Sequence, residues 1–377
     1  MLSNRLPLFN DSIHVSDKRV IVRVDFNVPA EQNKITDDYR ILRTLPLLEQ
    51  LRSRGARIML LSHLTEKKEH RSFEPLMENF QQVCGFSIKF APTPLAARQS
   101  KAPVTLLENL RAFPGEENKD PQFAKELALV GDLFINEAFS QSHRSNTSIV
   151  ELPKLLPSYA GPLFYEEIRK LGEASSPEKP FLLILGGVKF ATKIGVLEHF
   201  MEVADSIFIG GALANTFLVA SGFSVGESPV EQDAVPHVRN AFIGKPNVML
   251  PSDVRVEGNE VRSVSDIRTG DVIYDLGPVS SAALAEKLQE MRMILWNGPL
   301  GFVERGYNQA TSELIDLLAH SKARVIIGGG DTLALIRKQG LEDSFYYLST
   351  GGGAMLEFLA KGTLPGIDAL LETRNSM

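Results

Sequence analysis

The stretch RVIIGGGDTLALI, from Arg324 to Ile336, runs from an apolar, β-branched segment into three glycines, an aspartate and a helical pattern. A second stretch, YYLSTGGGAMLEFL from Tyr346 to Leu359, has the same arrangement. A short apolar run followed by glycines and an amphipathic segment is typical of a strand that turns into a helix. Both stretches therefore predict βα units with glycines at the carboxyl end of the strand.

The same alternation extends outward through the chain. In the first half, buried strands are predicted at 19–26, 56–63, 103–109 and 132–139, and helices at 37–54, 73–84 and 120–130. Strands of the second half end in FLLILGG, SIFIGG, MILWNGP, VIIGGGD and YYLSTGGG. This alternation predicts an α/β fold with mainly parallel sheets. A proline-, glycine- and serine-rich region between 150 and 180 brackets a helix at 163–174 and predicts a domain junction.

Length and composition limit the kind of protein. A chain of 377 residues suits two domains. Its net charge of −6 gives no support to nucleic-acid or anionic-membrane partners. A single cysteine cannot form an intramolecular disulfide, which suits a reducing compartment. With no secretory signal and no apolar run of membrane-spanning length, a cytoplasmic, soluble protein is predicted.

Glycines at the strand ends predict a bound polyphosphate. Triplets at 328–330 and 351–353 and pairs at 186–187 and 210–211 would expose amide donors at the positive ends of helix dipoles. The alternative is that the glycines only turn each strand into a helix. Neither G-x-x-x-x-G-K-[ST] nor G-x-G-x-x-G occurs, which excludes a P-loop NTPase and the dinucleotide fingerprint.

Charged residues beside these glycines support the same prediction. Asp331 could hold Mg²⁺ on the phosphates, or serve as a helix N-cap, and both roles can coexist. Lys189 and Lys193 are four residues apart, which predicts that they share a helix face near its N-terminus. Cations are unfavourable there unless an anion is bound, although solvated surface lysines remain the alternative.

Polar residues in the first half predict a second anion site. RVDFNVP places Arg23, Asp25 and Asn27 at alternating positions of a strand end, so they are predicted to share one face. A structural arginine–aspartate bridge is the alternative to ligand contact. Further basic residues and histidines follow successive strands, namely Arg40, His63, Arg111, His143 and Arg144. Together they suit a small phosphorylated acid, although each alone is more often structural or a surface charge.

Long motifs in both halves carry a family resemblance. They are RVDFNVP, LSHL, LLENLR, FSQSHR, LGGVKFATKI, WNGPLG, GGGDT and STGGGA with LPGIDAL. Over nearly its whole length the chain resembles the phosphoglycerate kinase family. The resemblance implies two Rossmann-like domains, each a parallel sheet in three αβα layers, joined by a hinge helix. The implied divisions are 1–160 for 3-phosphoglycerate, 161–178 for the hinge helix and linker, 179–363 for the nucleotide, and a tail, 364–377, that returns to the first domain.

The resemblance also implies roles for individual residues. The transferred phosphoryl group would be stabilised by Arg40, Lys189, Gly330 and Gly353. The substrate would be bound by Arg23, Asp25, Asn27, Arg40, His63, Arg111, His143 and Arg144. The nucleotide would be bound by Lys193, Gly210, Gly211, Asn297, Glu304, Gly328, Gly329, Gly330, Asp331 and Thr332. The metal, Mg²⁺, would be held by Asp331.

The implied activity is reversible phosphoryl transfer between 1,3-bisphosphoglycerate with ADP and 3-phosphoglycerate with ATP, in glycolysis and gluconeogenesis. A carboxylate acceptor is already ionised near pH 7, so no general base is needed. Stabilising charge on the transferred group and closing the hinge to expel water are then the expected demands on the protein. The resemblance favours a monomer whose partners are small molecules.

One departure from the family affects the substrate side. After His63 and Leu64 the family usually reads G-R-P, whereas this chain has Thr65, Glu66 and Lys67. An arginine expected to bind the substrate phosphate is therefore missing. Residues that could replace it are Lys67, Lys68 and Arg71.

Smaller departures are Thr192 where an aspartate is usual, Ser140 for a glycine and Glu137 for an aspartate. The missing G-R-P leaves open an alternative function, a catalytically weakened homologue with a binding or regulatory role. A third possibility, an NAD-dependent oxidoreductase, is disfavoured because the G-x-G-x-x-G fingerprint is absent.

Overall fold

The computed structural model describes residues 2–65 and 72–374. Its contacts divide the chain into two compact units, the first formed by the chain up to Arg169 together with the segment from Thr363 onward, and the second by Lys170–Gly362. The boundary lies inside the predicted hinge segment 161–178. Lys67, Lys68 and Arg71, the candidate replacements for the missing arginine, lie outside the described residues.

The first unit alternates strands and helices from its beginning. Its strands are β1 (Arg19–Arg23), β2 (Ala30–Glu31), β3 (Lys34–Ile35), β4 (Arg57–Leu61), β5 (Lys89–Ala91), β6 (Val104–Leu107), β7 (Leu133–Asn136) and β8 (Ser158–Ala160). Its helices are α1 (Tyr39–Ser53), α2 (Met77–Cys84), α3 (Pro94–Gln99), α4 (Pro121–Ala128), α5 (Thr147–Val150) and α6 (Pro162–Ser175), of which α6 continues into the second unit.

The first unit is built on a parallel sheet in the order β5-β6-β4-β1-β7-β8. Alternate residues of each strand point to opposite faces. Val20 and Val22 pack with the helix α1, whereas Ile21 packs on the other face with Phe134 and the helix α4. Full burial of such side chains stabilises by roughly 1.5–3 kcal/mol each, so both faces need a helical cover.

The second unit repeats this plan. Its strands are β9 (Phe181–Leu185), β10 (Ser206–Ile209), β11 (Val248–Met249), β12 (Asp253–Arg255), β13 (Val261–Ser263), β14 (Asp275–Leu276), β15 (Met293–Asn297), β16 (Arg324–Gly328) and β17 (Tyr347–Ser349). Its helices are α7 (Ile194–Phe200), α8 (Gly211–Ala220), α9 (Val235–Ala241), α10 (Pro278–Leu288), α11 (Gln309–Ala319), α12 (Gly330–Gln339) and α13 (Gly353–Lys361).

The second unit contains a parallel sheet in the order β11-β10-β9-β15-β16-β17 and a small antiparallel sheet in the order β13-β12-β14. Ile184 and Trp296 pack on one face of the parallel sheet against the helices α11 and α12. On the other face the ring centroids of Phe181 and Phe200 lie 5.5 Å apart. The small sheet packs on α8 through contacts that include Leu218.

A last helix, α14 (Pro365–Arg374), belongs to the first unit, where the amide of Gly366 donates to the Ser142 carbonyl at 2.9 Å. The two parallel sheets with helices on both faces confirm the predicted fold class. Among residues 2–65 and 72–374, the structure contains no helix with the length and apolar character needed to cross a bilayer.

The predicted elements are present with shorter strands. The strand predicted at 19–26 ends at Arg23, and the one predicted at 56–63 ends at Leu61. Beyond these ends the backbone no longer follows the regular hydrogen-bonding pattern of the sheet. The Phe26 amide donates to the side-chain hydroxyl of Ser62, at 2.8 Å, and not to a backbone carbonyl of β4. Polar residues that follow β1 and β4 therefore lie in loops at the carboxyl edge of the sheet.

Candidate active site

The loops after β1, β4, β6 and β7 lie at the carboxyl edge of the first sheet. The strands that follow β1 in the chain are added on both of its sides, β4 on one and β7 on the other, which makes β1 the topological switch point. In open α/β sheets this edge is where ligands bind. The pKa of His63 reports which charges meet there. Burial is the largest of the effects that lower the pKa of His63. The guanidinium groups of Arg23, Arg111 and Arg144 lower it further, whereas the Asp25 carboxylate raises it, and the pKa is about 3. His63 is therefore neutral at pH 7.

Asp25 is the acidic centre of this cluster. Its Oδ2 lies 2.9 Å from Arg40 Nη1 and also accepts a hydrogen bond from the Ser140 hydroxyl, while its Oδ1 accepts from the Asn27 amide at 3.1 Å. Burial alone would raise the pKa of Asp25, but Arg40, His63 and these hydrogen bonds lower it below its usual value. Ser140 thus makes a contact to Asp25 that a glycine could not make.

The position of Arg23 differs from the prediction that it shares one strand face with Asp25 and Asn27. Arg23 is fully buried in β1, with Nε donating to the Ser148 hydroxyl at 3.0 Å and Nη1 donating to the Val24 carbonyl at 2.7 Å. Because the strand ends at Arg23, the prediction that Arg23, Asp25 and Asn27 share one strand face is wrong. The arginine that pairs with Asp25 is Arg40, from the first turn of α1.

Thr65 is tied to two residues of the predicted substrate site. Its amide donates to Asn27 Oδ1 at 2.9 Å, and its hydroxyl accepts from Arg111 Nη1. Arg111 Nε also lies 3.7 Å from the Glu117 carboxylate. The residue that stands in place of the family glycine therefore contacts one of the predicted phosphate ligands directly.

The remaining substrate-side residues follow the 3₁₀ turn Phe139–Gln141, after β7. His143 is half-buried and Arg144 is exposed. The charge of Arg144 lowers the pKa of both His63 and Arg111. Arg144 therefore lies close to both, as part of one cationic cluster.

A cavity of about 630 Å³ lies in the second unit beside β9. Later strands of this sheet lie on both sides of β9, which makes it the topological switch point. We call this cavity the nucleotide cavity. The predicted residues that line it are Lys189, Lys193, Gly211, Asn297, Glu304, Gly329 and Asp331. The predicted residues outside its lining are Gly210, Gly328, Gly330, Thr332 and Gly353.

The two lysines do not share a helix face, and this prediction is wrong. Lys189 precedes the 3₁₀ turn Phe190–Thr192, and Lys193 lies between that turn and α7. Lys189 is exposed, whereas Lys193 is buried with its Nζ 3.5 Å from the point that a Cβ on Gly187 would occupy. Burial lowers the pKa of Lys193, and the Glu231 carboxylate partly compensates.

Several glycines that were predicted to offer free amide groups to a ligand instead bond to, or pack against, the protein's own backbone. The amides of Gly186, Gly187 and Gly210 donate to the carbonyls of Asn297, Pro299 and Leu185 at 2.8–2.9 Å. Gly211 has a φ of +59°, and a Cβ there would lie 2.6 Å from the Gly187 nitrogen. At these positions the prediction of free amide donors is wrong, because the loops pack backbone against backbone.

The two glycine triplets do lead into helix N-termini. The helices α12 and α13 begin at Gly330 and Gly353, and the N-cap residues, Gly329 and Gly352, provide no side-chain cap. The predicted N-cap role of Asp331 is therefore wrong. Amide groups in an uncapped first turn, at the positive end of the helix dipole, suit an anion.

Asp331 lies in the first turn of α12, near Glu304 of the 3₁₀ turn Val303–Arg305. Partial burial and the Glu304 charge raise the pKa of Asp331. Next to it, Thr332 is fully buried, and its hydroxyl has no hydrogen-bond partner among the described residues. Asn297, at the end of β15, is also buried, and its Nδ2 lies 3.8 Å from the Met355 sulfur.

Comparison with known proteins decides between the possible enzyme classes. A sequence model described as phosphoglycerate kinase matches residues 10–362. The chain belongs to the phosphoglycerate kinase family. It is 40% identical to the phosphoglycerate kinase of Herpetosiphon aurantiacus, over 94% of this chain and 96% of that one. It is 39% identical to the enzyme of Thermus thermophilus, over 94% of this chain and 97% of that one.

Solved structures of the family agree with this assignment. The phosphoglycerate kinase of Coxiella burnetii superposes with a TM-score of 0.83 at 34% identity, covering 97% of this chain and 99% of the other. That of Pyrococcus horikoshii gives a TM-score of 0.89 at 28% identity, covering 98% and 100%. Members of the phosphoglycerate kinase family are phosphotransferases with a carboxyl acceptor, and nothing in these comparisons favours the weakened-homologue alternative.

Some lining residues of the nucleotide cavity were not identified from the phosphoglycerate kinase motifs. Asn215 lies in α8, and Ile273 and Tyr274 lie just before β14. The one signal in the sequence was a lone asparagine within the apolar helix GALANTFLVA. No local pattern marked Ile273 or Tyr274, because the small antiparallel sheet that positions them was not predicted.

Proposed function

We propose that this chain catalyses reversible phosphoryl transfer between ATP and the carboxylate of 3-phosphoglycerate, forming ADP and 1,3-bisphosphoglycerate, a step of glycolysis. Family membership supports this function. The single observation that carries the assignment of sites is that the first unit gathers Arg40, His63, Arg111 and Arg144 around Asp25, while the second contains the nucleotide cavity with Lys193 and Asp331.

On the substrate side, Asp25 and Asn27 would bind the glycerate part and His63, Arg111 and Arg144 its phosphate. The guanidinium groups around His63 fit this role, because a bound phosphate dianion would offset their charge and raise the pKa of His63. Arg40, which is about one-third exposed and lies 2.9 Å from Asp25, would contact the transferred group.

Two further substrate-side residues act less directly. Arg23 has no exposed surface, so its contribution would be its positive charge, together with the orientation of Ser148. His143 is half-buried beside Arg144, next to the proposed phosphate ligands. We assign both to support of the phosphate site.

On the nucleotide side, Lys193 and Gly211 would lie against the phosphates, while Glu304 would bind the ribose hydroxyls. Asn297 and Gly329 line the nucleotide cavity, and Gly210 and Gly328 would act through their chain neighbours in the lining, Gly211 and Gly329. The buried hydroxyl of Thr332 would donate to a phosphate oxygen. The helix N-termini at Gly330 and Gly353 would stabilise negative charge.

Asp331 fits the role of a magnesium ligand. Among the described residues, no cluster of three or more acidic, histidine or cysteine side chains could hold a metal alone. Mg²⁺ commonly uses one or two carboxylates together with substrate phosphates, so a single aspartate that lines the nucleotide cavity is sufficient. When bound there, Mg²⁺ would neutralise charge on the nucleotide phosphates.

The chemistry requires little more from the chain than charge and position. The acceptor carboxylate is ionised at pH 7, so no side chain has to remove a proton. Negative charge on the equatorial oxygens of the transferred group is what must be stabilised. Lys189, which is exposed and lines the nucleotide cavity, would do so from the nucleotide side, and Arg40 from the substrate side.

The test is a coupled assay that measures ATP consumption by the purified chain. We expect consumption to require both 3-phosphoglycerate and Mg²⁺, and to be absent with glycerate, which lacks the phosphate. Consumption of ATP without 3-phosphoglycerate, or none with it, would contradict the function. We also propose a cytoplasmic monomer, which light scattering of the purified chain and fractionation of its source cells would test.

A further inference from the structure

The peptide group between Lys189 and Phe190 is bonded at both of its polar ends to side chains. Its amide donates to one carboxylate oxygen of Glu231, Oε1. Its carbonyl accepts from the Thr192 hydroxyl at 2.9 Å. Because a peptide group is planar and rigid, turning this one is the ψ rotation of Lys189. The two bonds therefore restrain the backbone from which the Lys189 side chain projects.

Glu231 reaches the lysine loop, residues 189–193, from 41 positions further along the chain than Phe190. The backbone of Glu231 is itself fixed at both of its polar groups. Its amide donates to the hydroxyl of Thr216, a buried residue of α8, at 3.2 Å, and its carbonyl accepts from the Ala234 amide at 3.0 Å. The carboxylate that binds the Phe190 amide therefore comes from a segment that is anchored to a helix of the second unit.

Packing of the Phe190 ring makes this bond necessary. Phe190 is 4% exposed, and its ring centroid lies 6.1 Å from that of Phe217 in α8 and 6.4 Å from that of Phe242. With the ring buried, the Phe190 amide cannot turn to water unless the ring unpacks. An unpaired buried donor is costly, so without the Glu231 carboxylate we expect the lysine loop to shift toward another acceptor.

We propose that Glu231 is a positioning residue for phosphoryl transfer, which directs the Lys189 side chain toward the transferred group by fixing the peptide group that follows Lys189. The inference rests on the proposed function, because it takes Lys189 to stabilise that group. Lys189 is exposed and lines the nucleotide cavity, so its backbone, more than packing, sets the direction in which its side chain leaves the loop. A catalytic group displaced by about 1 Å can lose on the order of 100-fold in rate.

Glu231 also brings a negative charge to the lysine loop. Burial lowers the pKa of Lys193, and the Glu231 charge raises it. Glutamine at position 231 would keep an acceptor oxygen for the Phe190 amide and lose the charge, whereas leucine would lose both. The difference between Glu231→Gln and Glu231→Leu therefore separates the hydrogen bond from the charge.

Steady-state kinetics of the full chain with ATP and 3-phosphoglycerate test the proposal. We expect Glu231→Leu to lower kcat roughly 10- to 100-fold and Glu231→Gln to lower it no more than a few-fold, with the same KM for ATP in both variants. In a Lys189→Ala background, Glu231→Leu should lower kcat no further, because it acts through Lys189. Glu227→Leu is the matched control, since Glu227 lies in the same segment between α8 and α9 and is exposed.

An unchanged kcat in Glu231→Leu, an equal loss in Glu231→Gln, or a further loss in the Lys189→Ala background would overturn the proposal. If Glu231→Leu does not fold, Thr192→Val removes the other bond to the same peptide group and should lower kcat by the same route. An unchanged kcat in Thr192→Val would then overturn the proposal.

Hydrogen–deuterium exchange of the lysine loop provides a measurement that does not depend on turnover. We expect the loop amides to exchange faster in Glu231→Leu than in the unmodified chain and Glu231→Gln. Equal exchange in all three proteins would show that Glu231 does not fix the loop and would overturn the proposal. Faster exchange in Glu231→Leu, together with no turnover by the unmodified chain, would defeat the proposed function alone.

Discussion

Lys189 and Lys193 show how much the surroundings of one residue type can differ within a single motif. Lys193 is buried beside Gly187, where burial lowers its pKa, while Lys189 is exposed and lines the same cavity. A buried cation fixed against a glycine suits a permanent phosphate contact. An exposed one is free to meet charge that develops during the reaction.

We therefore expect Lys189→Ala to lower kcat by a factor of 100 or more while changing the KM for ATP only a few-fold, as removal of an electrostatic donor does at a transition state (about 10²–10³). Steady-state kinetics with the coupled assay measures both constants. Lys154→Ala is the control, since Lys154 is exposed on the first unit and pairs there with Glu151. An unchanged kcat would refute the role of Lys189.

Thr65 carries the second prediction at this scale. Its hydroxyl accepts from Arg111, so it orients one phosphate ligand while the missing arginine leaves another absent. Replacing Thr65, Glu66 and Lys67 by Gly, Arg and Pro should lower the KM for 3-phosphoglycerate roughly tenfold, the order of one charged hydrogen bond. The variant Thr65→Gly separates the two effects, because it removes the hydroxyl without adding a charge. No improvement in the triple variant would contradict the prediction that the missing arginine weakens the binding of 3-phosphoglycerate.

At the scale of elements, the start of α6 depends on Glu137. This carboxyl is buried, and its Oε1 accepts from the Leu163 amide at 3.0 Å while its Oε2 accepts from the Phe164 amide at 3.4 Å. The carboxylate also occupies the space that a Cβ on Gly161 would need. Burial raises the pKa of Glu137 to about 8, although the two amides and Arg43 act in the opposite direction.

This pKa makes stability depend on pH in a definite direction. The folded value, about 8, lies above the usual 4.5, so between these values the folded state binds more protons than the unfolded state. Stability from Glu137 is therefore fully present below pH 4.5 and is lost as the pH rises through 8. Glu137→Gln stays neutral at every pH and can still accept an amide hydrogen bond.

Denaturant titrations from pH 5.5 to 8.5 should show the unmodified chain losing stability relative to Glu137→Gln, by a total on the order of a few kcal/mol. Glu151→Gln is the control, because the Glu151 carboxylate also belongs to the first unit but pairs with Lys154 at 3.1 Å. Parallel pH profiles for the unmodified chain and Glu137→Gln would show that Glu137 is ionised throughout.

At the scale of the whole molecule, the cationic cluster and the nucleotide cavity belong to different units. A ligand that binds the folded state at 100 times its Kd stabilises it by about 2.7 kcal/mol. Each substrate should therefore raise the thermal midpoint of the unit that binds it, independently of the other substrate.

Thermal unfolding of the full chain with 3-phosphoglycerate or with MgADP tests the assignment of the two sites. We expect Arg111→Ala to lose the shift caused by 3-phosphoglycerate and keep the one caused by MgADP, and Lys193→Ala to show the reverse. The two variants serve as each other's control. Either variant losing both shifts, or neither, would contradict the division of the substrates between the units.

Much of the architecture could be predicted from the sequence because its cause is local. Alternation of short apolar runs with amphipathic segments defines βα units, and the carboxyl ends of parallel strands meet at one edge. The sequence by itself therefore determined two parallel sheets, a glycine-rich edge in the second half and a basic edge in the first. Motif resemblance added the family and predicted which half binds which substrate.

Contacts between distant residues decided the rest. Buried Arg23 donates to Ser148, 125 positions away, and the amides of Gly186 and Gly187 donate to carbonyls at the end of β15 and in the loop after it. The Asn215 side chain, in the helix α8, is held by the Pro229 carbonyl, which lies 14 positions further along the chain. The local sequence pattern predicts which side chains and amides lie at the carboxyl edge of a parallel sheet. Which of them remains free for a ligand depends on partners that only the folded chain brings within hydrogen-bond distance.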